Sequence, residues 1–301
     1  MKRPAYSVLT LCAISLLLQG SACTEEKKFE KSFNVSSGGL LTLRTDVGDI
    51  SVEGTPSREV RVLAVVTGSK RFTEEFEITA EASDNTVKVR GEMTSKWRHW
   101  GNDDSNVKYT ISVPREFNLT LRTAGGDVDV SNIQGKVDGE TSGGDLHALR
   151  VDGDVQLSTS GGDVEGKELR GKLVLETSGG DIVIAKAEGS VDASTSGGDI
   201  QIADVEGKVR AETSGGNVAV RVSSSMKGIH AETMGGNVDI MVPRDVAANI
   251  EASTFGGEVS CDLPVTLSGK ISESSVKGTV NGGGETIHAH TMGGNIRIRS
   301  K

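Results

Sequence analysis

Short runs of alternating apolar and polar residues, separated by glycines, dominate the second half of the chain. The string Thr-x-Gly-Gly, followed by Asp, Asn or Glu, recurs there, and its first five intervals are all 18 residues long. A fixed period of this kind is typical of a repeat architecture. The string opens at Thr123, Thr141, Thr159, Thr177, Thr195, Thr213, Thr233, Thr254 and Thr291, Ser275 opens one degenerate copy, and an early copy begins at Thr45.

Aligning the copies on the threonine places apolar residues eight, four and two positions before it and five and seven after it. Alternation with a period of two predicts short β-strands with one buried face. A single copy has too few apolar residues for a core, but stacked copies about 4.8 Å apart would share one. The pattern therefore predicts an all-β fold, a β-solenoid with 18-residue rungs. Because the inward positions are not spaced by six, a right-handed or flattened helix is favoured.

The region before the repeats has a different pattern of apolar residues. Five longer runs rich in β-branched and apolar residues predict strands of ordinary length. We expect residues 29–122 to form widened first rungs that cap the solenoid, and residues 123–301 to form its repetitive part. The five runs are residues 40–43, 59–66, 76–80, 86–89 and 107–113.

The turn of each rung combines a glycine pair with a polar residue. The glycines are predicted to supply backbone conformations that β-branched residues cannot adopt. Stacked carboxylates about 4.8 Å apart repel each other by roughly 1 kcal/mol even in water, and hydrogen bonds from turn N–H groups would offset this. A row of Ca²⁺ ions is the alternative, although one carboxylate per rung falls short of about 6–8 ligands, so no metal is expected. The candidate ligands would be Asp127, Asp145, Asp163, Asp181 and Asp199.

The N-terminus has the features of an export signal. A basic start is followed by the mainly apolar residues 6–18, a run too short to span a bilayer. The sequence Gly20-Ser21-Ala22 then precedes Cys23, which resembles a bacterial lipobox with Cys23 as the lipid-attachment site. We therefore predict a signal peptide over residues 1–22 and a short linker over 23–28. Ordinary signal-peptidase cleavage after the alanine is the alternative.

Charge and cysteine content narrow the possible functions. The chain has 33 basic and 42 acidic residues, a formal net charge of −9, which argues against nucleic acid as a partner. Three cysteines do not make a disulfide framework. Cys261 lies seven residues after Thr254, at an inward position, so it is expected to be buried and inert.

Both tryptophans fall in one segment, residues 94–106. Their indoles would either cover the open end of the solenoid or, with an arginine between them, form a contact site for a protein or glycan. The candidate binding residues are Trp97, Arg98 and Trp100.

The histidines of the repeats are predicted to point outward. His288 and His290 alternate along one strand, and His230 occupies the same repeat position as His288. Two copies intervene between them in the sequence, which predicts a separation of roughly 15 Å. We therefore expect solvated surface side chains without a shared metal.

Three features resemble a known bacterial group: the segment 48–52, the Val113-Pro114-Arg115 break and the run of Thr-Ser-Gly-Gly-Asp rungs. They resemble the bacterial "putative adhesin" family, whose "toastrack" domain is a β-solenoid of unknown function, over about residues 29–301. The resemblance implies an envelope-associated, non-enzymatic protein and supplies no catalytic residue and no cofactor.

Together these features predict an exported lipoprotein of the cell envelope, at the outer membrane if the cell has two. Adhesion or scaffolding at the cell surface is the expected function. The partners would be the membrane, through the lipid anchor, and a surface protein or glycan. A cell-surface carbohydrate-active or Ca²⁺-binding β-helix protein is the alternative.

Overall fold

The computed structural model describes residues 25–94, 105–223, 226–267 and 272–301, and the regular secondary structure of these residues is almost entirely β-strand. The chain divides into two compact units, one ending at Thr141 and one from Ser142 to Lys301. The predicted change from cap to repetitive solenoid at residue 122 therefore lies inside the first unit. The reason is that the copy at Thr123 pairs with the early copy at Thr45.

The first unit contains the strands and the one short helix that precede Ser142 in the described chain. They are β1 (Glu25–Asn34), β2 (Gly39–Thr45), β3 (Asp49–Thr55), β4 (Glu59–Gly68), α1 (Lys70–Glu75), β5 (Phe76–Ser83), β6 (Thr86–Met93), β7 (Asn106–Pro114), β8 (Phe117–Thr123), β9 (Val128–Gln134) and β10 (Val137–Glu140).

Two sets of paired strands build this unit. One runs in the order β5, β6, β2, β8, β10, and the other in the order β1, β4, β7, β3, β9. Strands β6, β2, β8 and β10 are parallel, as are β7, β3 and β9, whereas the longer outer strands pair antiparallel. The strands predicted between residues 40 and 113 are all present.

Two elements of this unit were not predicted. Strand β1 begins at Glu25, inside the expected linker 23–28, and pairs with β4 along its whole length. Its charged sequence conceals it, because only Phe29 and Phe33 alternate with the polar residues. Helix α1 has six residues, too few to display a helical period, and Ser69 caps it by accepting a hydrogen bond from the backbone N–H of Phe72 at 3.4 Å.

The second unit contains the rungs from Ser142 onward. Its strands are β11 (Leu146–Asp152), β12 (Val155–Ser158), β13 (Val164–Glu176), β14 (Ile182–Thr195), β15 (Ile200–Glu206), β16 (Val209–Thr213), β17 (Val218–Val222), β18 (Ile229–Thr233), β19 (Val238–Val242), β20 (Ala248–Thr254), β21 (Val259–Cys261), β22 (Val265–Leu267), β23 (Ser275–Val280), β24 (Glu285–Thr291) and β25 (Ile296–Ser300).

The repeats stack in parallel and in register, as the sequence predicts. Val191, Val209, Ile229 and Ile287 pair in succession on one face, and each is at most 3% exposed. On the other face, β11, β13, β14, β15, β17, β19, β25 and β21 follow one another. The threonine of every copy is buried, as expected. These pairings confirm the β-solenoid and its inward positions.

The order of the last rungs differs from their order in the sequence. Strand β24 lies between β18 and β20, and β25 lies between β19 and β21. The C-terminal rung is therefore inserted between two rungs that precede it. The degenerate copy at Ser275 is not a rung, because its strand β23 pairs antiparallel with β20 and β22.

The second glycine of the pair is required for a different reason from the predicted one, as Gly180 shows. A Cβ atom on Gly180 would lie 2.1 Å from the carbonyl oxygen of Gly162 in the preceding rung. Neither Gly179 nor Gly180 has a φ in the left-handed region, although Gly126, in the copy at Thr123, does. Close approach of stacked backbones, not conformational freedom, therefore excludes a side chain here. The left-handed conformation falls instead on residues such as Lys186 and Gly189.

Candidate functional site

The polar residues of the turns form a hydrogen-bonded row. In the second unit, Oδ1 of Asp145, Asp163 and Asp181 accepts a hydrogen bond from the backbone N–H of the equivalent residue in the next rung, at 2.7–2.8 Å. In the first unit, Asp49 accepts from the N–H of Asp127 at 3.1 Å. These are the hydrogen bonds that were expected to offset the repulsion between stacked carboxylates. The expectation that this row binds no metal stays a prediction, with a Ca²⁺ row as its alternative.

A second group of polar side chains arises from the inserted C-terminal rung. His230 and His288 are paired residues of β18 and β24, and their rings stack with centroids 4.9 Å apart. The predicted separation of roughly 15 Å is therefore wrong, because it assumed that the rungs stack in sequence order. With Glu232 these residues form what we call the histidine cluster, in which one donor atom from each lies within 4.8 Å of the others.

Carboxylates surround the imidazole nitrogens of the histidine cluster. Oε1 of Glu232 lies 3.2 Å from Nε2 of both His230 and His288. Oε1 of Glu212, from strand β16, lies 3.0 Å from Nε2 of His230. The side chains of the cluster are 29–37% exposed, so solutes can reach them.

Further charged groups flank the histidine cluster on both sides. Arg210 pairs with Glu212. On the other side Glu251 is in register with His288 and lies 2.7 Å from the ammonium group of Lys277, which lowers the pKa of the Glu251 carboxyl.

The turns of the same rungs carry exposed apolar side chains. In three adjacent rungs the residue after the threonine is large and apolar: Met234, Met292 and Phe255. We call these three residues the apolar strip. Their exposed fractions are 54%, 54% and 89%. The five copies from Thr141 to Thr213 carry serine at this position. The strip is therefore a local departure from the repeat, and the inserted rung makes it continuous.

A shallow groove of about 340 Å³ adjoins the apolar strip. Met234 and Met292 line it together with Glu212, Glu232 and His290. His290 is held by Ser253, whose Oγ lies 3.0 Å from Nδ1 of the ring. One surface thus combines apolar contact area, carboxylates and imidazoles.

The sequence analysis chose other residues as the lipid-attachment and binding-loop candidates. Cys23, Trp97, Arg98 and Trp100 lie outside the described residues, so the lipid-attachment and binding-loop assignments stay predictions. Cys261 has the expected register, opposite Ile298, but it is half-buried, because its strand stands at the end of its face. This burial raises the pKa of the thiol, which disfavours the reactive thiolate.

The sequence did contain signals for this surface. His230 and His288 share one repeat position, three residues before the threonine, and Met234, Phe255 and Met292 share another. What the sequence does not give is the rung order that makes these residues neighbours.

None of the helices among the described residues has the length and apolar character of a membrane span.

Comparison with solved structures finds several similar chains of low sequence identity. One described as a putative adhesin from Parabacteroides distasonis ATCC 8503 is 14% identical, with 90% of this chain and 97% of that one covered and a TM-score of 0.47. Another putative adhesin, from Bacteroides fragilis NCTC 9343, is 14% identical, with coverages of 91% and 97% and a TM-score of 0.37. A putative lipid binding protein from Parabacteroides distasonis ATCC 8503 is 13% identical, with coverages of 90% and 96% and a TM-score of 0.43.

No curated protein matches the chain. A family model described as Toastrack DUF4097 matches residues 40–299. The match includes the early copy at Thr45, the inserted C-terminal rung and all the rungs between them. The chain therefore belongs to the Toastrack DUF4097 family.

Proposed function

We propose that the protein is a non-enzymatic adhesion or scaffolding protein of the cell envelope, which is exported, anchored by a lipid on Cys23, and binds another protein. The observation that carries this proposal is the apolar strip. Exposed apolar side chains that are contiguous mark interaction surfaces more often than scattered ones do. Methionine and phenylalanine are also residue types enriched in protein interfaces.

The surroundings of the apolar strip favour one kind of partner. Glu212 and Glu232 line the groove beside Met234 and Met292, and the exposed Glu258 follows Phe255 on the same turn. The whole chain also carries a net negative charge. The partner that fits best is a protein surface with apolar side chains flanked by lysine or arginine, because such charges complement the carboxylates.

The test replaces all three residues of the apolar strip, Met234, Met292 and Phe255, by serine, which stands at this position in the copies from Thr141 to Thr213. The full chain and this variant are applied to a panel of immobilised extracellular proteins and glycans. We expect binding to a protein of the panel, and we expect the variant to bind at least about 30-fold more weakly, as loss of a 2 kcal/mol hot spot implies.

The matched control replaces Ser160, Ser178 and Ser196, which occupy the same turn position in other rungs, with alanine. This control should bind like the wild type. Both triple variants should melt within about 2 °C of it, since exposed substitutions change stability little. Binding to glycans alone, or binding that the serine variant retains, would contradict the proposal.

The anchor has its own test. If Cys23 carries the lipid, Cys23→Ala should move the protein from the detergent phase to the aqueous phase in a detergent-partition assay, because acyl chains dominate membrane affinity. Intact mass should show the acyl groups on the wild type. A variant that stays in the detergent phase, with no acyl mass on the wild type, would refute the anchor.

A further inference from the structure

We propose that His230, Glu232 and His288 form a binding site for a divalent transition-metal ion, with Zn²⁺ as the best-matched ion. The proposal does not depend on the proposed adhesion function. It starts from the strand order, because β24 brings His288 beside His230 only through its insertion next to β18. Two imidazoles and a carboxylate are a ligand set that zinc uses in proteins, whereas Ca²⁺ and Mg²⁺ prefer oxygen ligands alone.

The donor atoms are already close to the geometry that one ion needs. Zinc binds nitrogen and oxygen ligands at about 2.0–2.2 Å in a tetrahedron, so two ligands of one ion are roughly 3.4 Å apart. Oε1 of Glu232 lies 3.2 Å from Nε2 of each histidine. All three donors lie within 4.8 Å of one another. Modest side-chain rotation, which partial exposure permits, would bring the two nitrogens to the same ion.

A further carboxylate, paired with Arg210, and a rigid support lie beside these three donors. Oε1 of Glu212 lies 3.0 Å from Nε2 of His230, on the neighbouring strand β16. The backbone beneath the site is fixed, because the inward-facing Ala211, Ala231 and Ala289 of these three strands are fully buried. The donors therefore project from a preorganised sheet surface and not from a loop, which favours a defined coordination geometry.

Electrostatics favours a cation at this point. When both rings are neutral, each has one nitrogen lone pair available, and two carboxylates lie beside them. A bound divalent ion uses these lone pairs and compensates the charge of Glu232, whereas Arg210 already compensates that of Glu212.

The experiment uses the full chain, purified in detergent and stripped of metal with EDTA. Calorimetric titration with Zn²⁺ should show one site per chain, which excess Mg²⁺ and Ca²⁺ do not block. Titration with Co²⁺ should produce the visible absorption of a tetrahedral site. His230→Gln, His288→Gln and the nearly isosteric Glu232→Gln should each weaken binding by more than the roughly 10- to 100-fold that loss of a hydrogen bond to a ligand costs.

His147→Gln is the matched control. His147 is another partly exposed outward histidine beside a glutamate, 3.9 Å from Glu165, and its replacement should leave Zn²⁺ affinity unchanged. Metal-free melting curves of all variants should superimpose, so that weaker binding is not a consequence of unfolding. Absence of Zn²⁺ binding by the wild type, or equal affinity in the variant lacking both His230 and His288, would overturn the proposal.

Discussion

Replacing Gly180 with alanine is expected to lower the free energy of unfolding by about 3 kcal/mol or more. The added Cβ atom would lie 2.1 Å from the carbonyl oxygen of Gly162 and 2.6 Å from Oδ1 of Asp163. Because the first contact is with backbone, no side-chain rotation can relieve it, and the two rungs must separate locally. That separation would also lengthen the hydrogen bond from the N–H of Asp181 to Asp163. Urea unfolding followed by circular dichroism measures the effect.

The adjacent glycine provides the control. A Cβ on Gly179 would lie 3.5 Å from the nearest atom, the carbonyl oxygen of Gly161, an ordinary contact distance. Gly179→Ala should therefore leave the free energy of unfolding within about 1 kcal/mol of the wild type, since alanine costs less conformational entropy than glycine. Equal destabilisation by the two variants would show that backbone proximity is not the reason for the second glycine of the pair.

Ile200→Asp should be at least as damaging, with a loss of about 4–5 kcal/mol in the free energy of unfolding. Ile200 is completely buried and stacks between Ile182 and Val218 of the neighbouring rungs. An aspartate there would be a charge with no partner inside an aliphatic core, or would have to take up a proton. Thermal melting of the purified variant should show this loss, or the variant should fail to fold.

Gln201→Asp introduces the same residue one position later. Gln201 is exposed, so this variant should stay within about 1 kcal/mol of the wild type. Similar melting midpoints for the two aspartate variants would mean that the assignment of inward and outward positions is wrong.

The sequence predicts this fold well wherever neighbouring rungs are consecutive copies. From Thr141 to Thr213 the period of 18 fixes both the inward positions and the register, since one repeat length places equivalent residues directly above one another. The sequence does not predict the strand pairing where neighbouring rungs are not consecutive copies. Thr45 pairs with Thr123 across a long insertion, and Thr291 pairs with both Thr233 and Thr254.

The candidate site depends on that second kind of pairing. The repeat pattern identifies His230 and His288 as equivalent residues, but equivalence gives no information about the order of the rungs. The intervals in this part of the chain depart from 18, and the copy at Ser275 has no glycine pair. These irregularities mark the place where β23 turns back antiparallel on β20 and the last rung inserts before it.

One structural feature thus produces both proposed surfaces. Without the inserted rung, Met234 and Phe255 would be next to each other and Met292 would be at the end of the stack. His288 would also lie far from His230. With the inserted rung in place, the apolar strip is continuous and the two imidazoles stack. The position of the C-terminal rung is therefore the central claim of this account.

Disulfide formation between engineered cysteines tests that claim most directly. In a Cys261→Ser background, Glu232→Cys with His290→Cys places the two cysteines on paired residues of β18 and β24, about 4.8 Å apart between strands. This is within the roughly 4.4–6.8 Å that a disulfide spans. Glu232→Cys with Ser253→Cys places them two rungs apart, about 10 Å. The account predicts a disulfide-linked peptide, detected by mass spectrometry after mild oxidation, for the first pair only; a disulfide in the second pair and none in the first would contradict it.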